Sequence, residues 1–359
     1  MLLTMPATVR SFAKINLGLF IGVKRPDGFH ELRTVYQTIG LHDVIRVQVV
    51  RGSGIEIHCD DPRVPTNDSN TCYRIVERGM EALRARGRVI VEIDKRLPVQ
   101  GGLGGASSNA VAALMALERV LRKQLPGPER LRIAAEVGSD LPLFLVGGTV
   151  LGVGRGEDVY PLPDLPATPC VIATPEIGVS TPRAFADWDA RIGRSEKTAE
   201  LRSAWTAEGG RPHVGSRHAG EGKLTASTPS DRMTELGRLV TSWLSGASPK
   251  KNSGGRSSGV PALGGGRAET LLLDLVRTGI ENDFEQVVFP QYPELRDVKR
   301  VLARAGAFYA SLSGSGSALY GLFRSKAAAE KAASLRKDGF PAQATTTLTR
   351  LQYWKKLWN

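Results

Sequence analysis

The sequence predicts an α+β protein of two domains. Its 359 residues exceed the length that a single compact core usually spans. Strand-like and helix-like patterns alternate in both halves, and a polar stretch at about residues 190–268 interrupts the second half. We therefore place the domains at residues 1–166 and 167–359, with a flexible insertion at about residues 190–268 in the second.

The first domain begins with strands. SFAKINLGLFIGV and DVIRVQVV are rich in β-forming residues, and the Pro-Asp-Gly of KRPDGFHE between them marks a turn. VIVEIDKRLP predicts another strand, which leads into a glycine-rich stretch. Apolar residues then recur at helical spacing, which predicts a helix from Ser107 or Ser108, and PERLRIAAEVG predicts a second helix.

The second domain repeats this alternation. PCVIATPE predicts its first strand, and DRMTELGRLVTSWL could form a helix within the insertion. Further on, ELRDVKRVLARAGA and KAAAEKAASLRKDGF predict helices on either side of FYASLSGSGSALYGLF, a strand–turn–strand pattern. The closing QATTTLTRLQYW predicts a last strand.

Composition excludes several classes of protein. Hydrophobic residues make up 41% and charged residues 23%, a globular balance, and no apolar run approaches the roughly 20 residues of a membrane span. The N-terminal apolar stretch precedes Arg10 and Lys14, the reverse of a secretory signal, so we expect a cytoplasmic protein. Cys59, Cys72 and Cys170 lie far apart and no HxxxH or HExxH pair occurs, so neither disulfides nor a dedicated zinc site are expected.

The net charge of +12 suits anionic ligands. It leaves a nucleic-acid binder open as an alternative. However, many of the basic residues lie in the polar middle segment, so a charged, solvated surface is the preferred interpretation.

The glycine-rich stretch LPVQGGLGGASSNAV, residues 97–111, predicts an anion site. Glycines let backbone N–H groups turn towards one point, and the following helix presents unpaired N–H groups and a positive dipole end. A triphosphate fits such a nest, and a structural turn is the alternative. The loop is neither a P-loop, because Gly-Lys-Ser/Thr is missing, nor a dinucleotide fingerprint, because Ser107 replaces the third glycine.

Three further segments each have two interpretations. FAKINLGL places Lys14 on a strand, GSDLPLF places Asp140 at a constrained turn, and SLSGSGSALYGLF carries a second small-residue loop. Taken singly, they would be a solvent-facing lysine, an exposed aspartate or helix cap, and a hairpin turn. Joined to the first loop, the second could close over a nucleotide.

Together and in this order, the four segments resemble the GHMP kinase superfamily of galactokinase, homoserine kinase and mevalonate kinase. That superfamily binds ATP with a Pro-x-x-x-Gly-Leu-Gly-Ser-Ser-type loop. The branch that phosphorylates a cytidylylated methylerythritol is the most similar, through AKINLGL, RPDGFHELRTVYQTI, GGLGGASSNA, GSDLPLF, NDFEQVVFPQYPEL and LSGSGSALYGLF. RPDGFHE is the specific element, and the resemblance covers roughly residues 8–185 and 280–325.

The resemblance implies a fold and an activity. The N-terminal domain would be similar to ribosomal protein S5 domain 2, and the C-terminal domain would be ferredoxin-like, with a cleft between them. The activity implied is ATP-dependent phosphorylation of the 2-hydroxyl of 4-diphosphocytidyl-2-C-methyl-D-erythritol in non-mevalonate isoprenoid biosynthesis, with Mg²⁺ as a co-reactant. ATP and this small molecule would be the ligands, and no nucleic-acid or membrane partner is expected.

The resemblance also implies site residues. Lys14 and Asp140 would flank the acceptor hydroxyl, the lysine stabilising the alkoxide and the aspartate accepting the proton. Asn70 would contact the adenosine end of ATP, and Ser108 would approach the metal ion. The remaining ATP-binding residues would be those of the loop: Pro98, Val99, Gln100, Gly101, Gly102, Leu103, Gly104, Gly105, Ala106, Ser107 and Ser108.

For the acceptor, the resemblance implies that His30 bonds the cytosine edge and that Asn16 contacts the sugar or polyol. Phe29 and Phe185 would sandwich the base, with Thr181 on the substrate side. Ordinary core packing is the alternative for both aromatic residues.

The chain departs from the family pattern in three places. Phe29 replaces a common tyrosine, Ala106 replaces a common glycine, and the insertion at about residues 190–268 is longer than the family needs. Two alternatives to the assigned activity stay open. One is another GHMP kinase acting on homoserine, mevalonate or a sugar, and the other is a non-catalytic ligand sensor.

Overall fold

The structure is a computed structural model that describes residues 5–99, 101–193, 280–334 and 340–358. Within these ranges the strands form two sheets. The first has the order β3-β4-β2-β5-β6, with β1 also paired to β2, and the second has the order β10-β7-β9-β8. The strands are β1 (Ala7–Lys24), β2 (His30–Val50), β3 (Ile55–Cys59), β4 (Arg88–Asp94), β5 (Thr149–Val153), β6 (Asp158–Pro161), β7 (Pro169–Ala173), β8 (Tyr309–Leu312), β9 (Leu319–Leu322) and β10 (Ala342–Thr346).

Helices cover both sheets, as expected of an α+β fold. In the described ranges they are α1 (Thr71–Ala82), α2 (Gly105–Leu121), α3 (Gly127–Val137), α4 (Leu141–Phe144), α5 (181–193), α6 (Glu285–Gln291), α7 (Pro293–Arg304), α8 (Lys326–Ser334) and α9 (Arg350–Leu357). None of these helices is long and apolar enough to cross a membrane. The predicted insertion lies outside the described residues from residue 194 onwards, together with the helix predicted within it.

Strand β2 organises the first sheet. It pairs with β1 along most of its length, with β4 over residues 44–50 and with β5 over residues 34–37. The β1–β2 register sets Lys14 opposite Thr38 and Asn16 opposite Tyr36. Because neighbouring strands lie about 4.8 Å apart, this register alone brings the polar side chains of two strands together.

Helix α2 is buried on nearly every side, and this explains its alanine-rich sequence. Twelve of its residues are buried, and it packs against α1, β1 and β2. Small side chains let a helix lie close to a sheet, and a helix that is apolar all round belongs in a core. The glycine-rich loop therefore leads into an element that cannot move independently of the sheet.

The second sheet packs against β1. Ile15 and Leu17 of β1 share an apolar cluster with Ile172 of β7 and Leu322 of β9. The phenol of Tyr320 donates a hydrogen bond to the carbonyl of Asn16 at 2.8 Å. Burial raises the pKa of Tyr320 well above its usual range, so this donor stays protonated and fixes the second sheet beside the polar residues of β1.

The C-terminal segment differs from the prediction. The predicted last strand ends at Thr346, and α9 follows. Thr349 caps this helix, since its hydroxyl accepts from the backbone N–H of Gln352 at 3.2 Å while the Gln352 side chain accepts from the Thr349 N–H at 3.1 Å. This capping box outweighs the β propensity of the threonine run. The phenol of Tyr353 donates a hydrogen bond to the Phe144 carbonyl at 2.7 Å, so the chain returns to the core of the first domain.

We expect Thr349→Ala to destabilise the protein by about 1 kcal/mol, because the first turn of α9 loses its cap. Chemical denaturation should show the loss, and Thr349→Ser, which keeps the hydroxyl, should unfold like the unsubstituted protein. An alanine variant of unchanged stability would contradict the role of the cap.

Candidate active site

Two cavities meet at the glycine-rich loop. The hairpin cavity, about 680 Å³, lies between the β1–β2 hairpin, α5 and the loop joining β8 to β9. The loop cavity, about 380 Å³, lies between the glycine-rich loop, the start of α1 and the end of β4. Gly102, Gly104 and Ser107 line both cavities. A ligand in either cavity therefore reaches the same stretch of backbone.

A lysine–aspartate ion pair lies on the wall of the hairpin cavity. The Lys14 ammonium is 3.3 Å from Asp140 Oδ2, and the side chains are 4% and 34% exposed, respectively. Asp140 directly precedes α4 but makes no capping hydrogen bond. The structure thus excludes both ordinary interpretations, the solvent-facing lysine and the aspartate cap. It presents a carboxylate to the cavity with a buried cation behind it.

Neighbouring polar groups fix this pair. Lys14 Nζ donates to Asn16 Oδ1 at 2.7 Å, and Asn16 Nδ2 donates to Thr34 Oγ1 at 2.7 Å. The Tyr36 phenol donates to Asp140 Oδ1 at 2.9 Å. Burial, followed by the Asp140 charge, raises the pKa of Tyr36 well above its usual range. The phenol therefore stays a donor, which leaves the Asp140 oxygens to face Lys14 and the cavity.

The glycine-rich loop needs glycine for its conformation. Gly102 and Gly104 have φ values of +74° and +69°, which residues with a side chain rarely adopt. Gly104 precedes α2, and no side chain caps the helix there. Since the first N–H groups of a helix have no intrahelical partner, the first turn of α2 presents donors and a positive dipole end to the cavities.

The second small-residue loop packs directly on the first. Ser313 donates its hydroxyl to the Gly102 carbonyl at 3.0 Å, and the Ala318 N–H donates to the Gly101 carbonyl at 3.0 Å. Gly314 lines the hairpin cavity beside Lys14 and Asn16. The two loops that the sequence singled out therefore form one wall.

Most of the predicted loop residues line the loop cavity. Gln100 lies outside the described residues. Ser108 is buried, with its hydroxyl 2.7 Å from that of Ser11, and lines neither cavity. Ser107 is thus the serine on the shared wall, and the role of Ser108 at a metal ion stays a prediction. The lining residues of the loop are Pro98, Val99, Gly101, Gly102, Leu103, Gly104, Gly105, Ala106 and Ser107.

Asn70 also lines the loop cavity, and its side chain makes two hydrogen bonds within the protein. Its Oδ1 accepts from the Cys72 N–H at 2.8 Å, which caps α1, and its Nδ2 donates to the Pro65 carbonyl at 2.6 Å. Asn70 therefore shapes the cavity wall, and one amide N–H and one lone pair of Oδ1 are not used by these two bonds.

Helix α5 supplies the far side of the hairpin cavity. Thr181, Phe185 and Asp189 recur at four-residue spacing and so share one face of the helix. Asp189 Oδ1 lies 2.6 Å from His30 Nε2, and Thr181 Oγ1 lies 2.7 Å from Ser315 Oγ. The helix thus contacts both the hairpin and the second small-residue loop.

The two phenylalanines predicted to sandwich a base have other partners. The Phe185 ring stacks on His30 with centroids 4.9 Å apart and meets the edge of Phe284. Phe29 is 51% exposed, with the Arg155 guanidinium 4.9 Å from its ring. A base can stack on the open part of Phe29, whereas one face of the Phe185 ring is already stacked on His30.

The sequence interpretation missed Tyr36, Arg155 and Asp189, which all line the hairpin cavity. Asp189 follows Thr181 and Phe185 at helical spacing, a signal present in the sequence. Tyr36 meets Asp140 only through the pairing of distant segments, and no local pattern indicates such a contact.

Comparisons with known proteins agree with this geometry. Residues 70–148 match the family described as GHMP kinases N terminal domain, and residues 267–339 match GHMP kinases C terminal. A 4-diphosphocytidyl-2-C-methyl-D-erythritol kinase of Solibacter usitatus (strain Ellin6076) is 36% identical over 332 residues, covering 92% of this chain and 86% of the relative. These matches confirm the resemblance.

Solved structures share the fold. A crystal structure of 4-(cytidine 5'-diphospho)-2C-methyl-D-erythritol kinase superposes with a TM-score of 0.63 at 26% identity, covering 96% of this chain and 99% of that one. A homoserine kinase from Cytophaga hutchinsonii ATCC 33406 gives 0.64 at 20% identity, covering 96% and 95%. The two-domain α+β fold predicted from the sequence is confirmed.

We expect Gly102→Ala to destabilise the protein by about 1–3 kcal/mol, because the added methyl group overpacks the contact between the two loops. A Cβ there would lie 2.1 Å from the Ser313 carbonyl oxygen. Gly54→Ala is the matched control, since Gly54 also has a positive φ, +99°, but nothing lies within 4 Å of its Cβ position. Equal melting temperatures for the two variants would contradict the close packing of the loops.

Proposed function

The chain belongs to the family of 4-diphosphocytidyl-2-C-methyl-D-erythritol kinases, and on this premise we propose that it transfers the γ-phosphoryl group of ATP to the 2-hydroxyl of 4-diphosphocytidyl-2-C-methyl-D-erythritol. This reaction serves isoprenoid precursor biosynthesis. The supporting observation is the Lys14–Asp140 pair beside the wall that the two cavities share. One cavity would hold ATP and the other the acceptor.

ATP would occupy the loop cavity with its phosphates towards the first turn of α2. Unpaired backbone N–H groups and the positive end of the helix dipole stabilise anions at such a position. The positive φ angles of Gly102 and Gly104 let the backbone turn towards the same point. Gly102, Gly104 and Ser107 also line the hairpin cavity, so the γ-phosphate would lie next to the acceptor.

Asp140 and Lys14 would carry the proton and charge transfers. As the acceptor oxygen bonds to the γ-phosphorus, Asp140 takes the hydroxyl proton and ADP leaves with the electrons of the broken P–O bond. The buried Lys14 ammonium stabilises negative charge on that oxygen. Asn16 and Tyr36, which bond Lys14 and Asp140 respectively, hold the two groups in place without being consumed.

Mg²⁺ fits this site as an ion held largely by the nucleotide. No cluster of three His, Cys, Asp or Glu side chains suitable for a metal occurs among the described residues, and Mg²⁺ in kinases commonly uses phosphates, waters and one or two protein oxygens. Ser107, on the shared wall, would supply a hydroxyl. When bound, the ion neutralises phosphate charge.

The cytosine would be recognised at the tip of the hairpin. In the tautomer in which His30 Nε2 donates to the Asp189 carboxylate, Nδ1 would offer a lone pair. That lone pair can accept a hydrogen bond from the exocyclic amine of cytosine, while Phe29 offers a stacking surface. Arg155 and Lys24 line the same cavity and suit a diphosphate.

The competing kinase activities fit the hairpin cavity less well. Homoserine and mevalonate are small and carry no base, so neither could stack on the exposed Phe29 ring. A ligand sensor would not need the Lys14–Asp140 pair, which the structure keeps close together.

We expect Asp140→Asn to lower kcat at least 100-fold, because the amide cannot accept the hydroxyl proton. The dissociation constant for ATP should change little, since Asp140 is not on the loop cavity. Asp297→Asn, at a 66% exposed position on α7, controls for the substitution itself. A coupled ADP-release assay that finds full turnover in Asp140→Asn would refute the assigned role.

Phe29→Ala and His30→Ala should each raise the KM for the cytidylylated acceptor about tenfold, through lost stacking or a lost hydrogen bond. The KM for ATP should stay constant. Tyr160→Ala, an exposed aromatic residue outside both cavities, is the control. If the kcat/KM for homoserine or mevalonate equals that for the cytidylylated acceptor, the assigned substrate is wrong.

A further inference from the structure

One fully buried carboxylate lies beneath the glycine-rich loop and has no role in the mechanism above. Asp43, on β2, has 0% side-chain exposure. Its Oδ1 accepts from the backbone N–H groups of Arg96 and Leu97, both at 2.7 Å. Its Oδ2 accepts from Lys95 Nζ at 2.7 Å and from Asn109 Nδ2 at 2.9 Å. Four donors therefore compensate the cost of burying this charge.

These donors stand at both ends of the loop. Arg96 and Leu97 immediately precede Pro98, where the loop begins, and Asn109 immediately follows Ser108, where it ends. A single carboxylate thus joins the entry of the loop to its exit. Because Asn109 belongs to the buried helix α2, the entry of the loop is tied to an element that cannot shift.

A second layer extends this network to the strand of the catalytic lysine. The Ser11 hydroxyl on β1 donates to Asn109 Oδ1 at 2.6 Å and lies 2.7 Å from the Ser108 hydroxyl. The Lys14 backbone N–H donates to the Leu103 carbonyl at 2.9 Å, within the loop. Asp43 and its partners therefore hold the loop in register with β1.

The network also holds a cation beside the first turn of α2. The Lys95 side chain is 8% exposed and lines the loop cavity. Its Nζ is close to Gly105, the first residue of α2: a Cβ built on that glycine would lie 3.4 Å from it. The bond to Asp43 therefore fixes this ammonium next to the unpaired N–H groups that start the helix.

We infer that Asp43 is a positioning residue for the nucleotide: it aligns the loop before ATP arrives and so governs the affinity for ATP rather than for the acceptor. This inference rests on the proposed function, which places ATP in the loop cavity. Backbone N–H donors that already point towards the phosphate site need not be ordered when ATP binds. The binding free energy is therefore not reduced by the entropic cost of ordering them. A purely structural role would instead lower stability without distinguishing between the two substrates.

Asp43→Asn tests the inference, because the amide keeps the size of the side chain but turns an N–H₂ group towards either the ammonium or the backbone donors. We expect the KM for ATP, and the dissociation constant of a non-hydrolysable ATP analogue measured by calorimetry, to rise at least about tenfold. The acceptor KM should stay constant. Hydrogen exchange of amides 101–108 should accelerate, while exchange in β7 and β9 stays unchanged.

Two further variants complete the design. Asp94→Asn is the matched control, since Asp94 is 55% exposed and pairs with Arg96 at the surface. Asn109→Ala removes only the bond at the exit of the loop, so it should raise the analogue's dissociation constant in the same direction. If Asp43→Asn does not fold, the analogue affinity of Asn109→Ala alone tests the inference.

Unchanged analogue affinity and unchanged loop exchange in the variants would overturn the inference, as would an equal rise in both KM values. Failure of the unsubstituted protein to bind the ATP analogue would instead refute the proposed function. In that case the exchange of amides 101–108 in the variants would still show whether Asp43 fixes the loop.

Discussion

The site depends on burying the Lys14 ammonium group beside groups that compensate its charge. Removing a charge from water is costly unless it is paired and hydrogen-bonded. For Lys14 that requirement is met by Asp140 at 3.3 Å and Asn16 at 2.7 Å. Asn16 is in turn oriented by Thr34, whose hydroxyl donates to the Gly18 carbonyl at 2.8 Å. The register of β1 on β2 is therefore a condition for the chemistry.

Two lysine–aspartate pairs flank the glycine-rich loop with opposite burial. In one, the Lys14 ammonium is buried and the Asp140 carboxylate opens to the cavity. In the other, the Asp43 carboxylate is inaccessible and saturated by donors, while Lys95 reaches the cavity wall. An accessible carboxylate can accept a proton, whereas a saturated one can only position its neighbours. The same two residue types would thus serve chemistry in one place, as proposed, and architecture in the other.

The sequence was sufficient to predict the parts of the site that local motifs specify. It was insufficient to predict the parts that depend on contacts between distant segments. The loop and the places of Lys14 and Asp140 follow from local motifs in a fixed order. Tyr36 could not be found in this way, since its partner lies 104 residues away. Helix α9 was missed for a different reason: a capping box of two side chains overrode a threonine-rich stretch that locally favours a strand.

The fold alone does not choose the acceptor, because a homoserine kinase shares it at 20% identity. The choice must lie in elements outside the common framework of loop and ion pair. In the proposed function those elements would be the tip of the β1–β2 hairpin, with Phe29 and His30, and helix α5, with Phe185 and Asp189, which all line the hairpin cavity. The hydrogen bond from His30 to Asp189 joins them. If His30 reads a base as proposed, the Asp189 carboxylate on helix α5 would select the imidazole nitrogen that accepts from it.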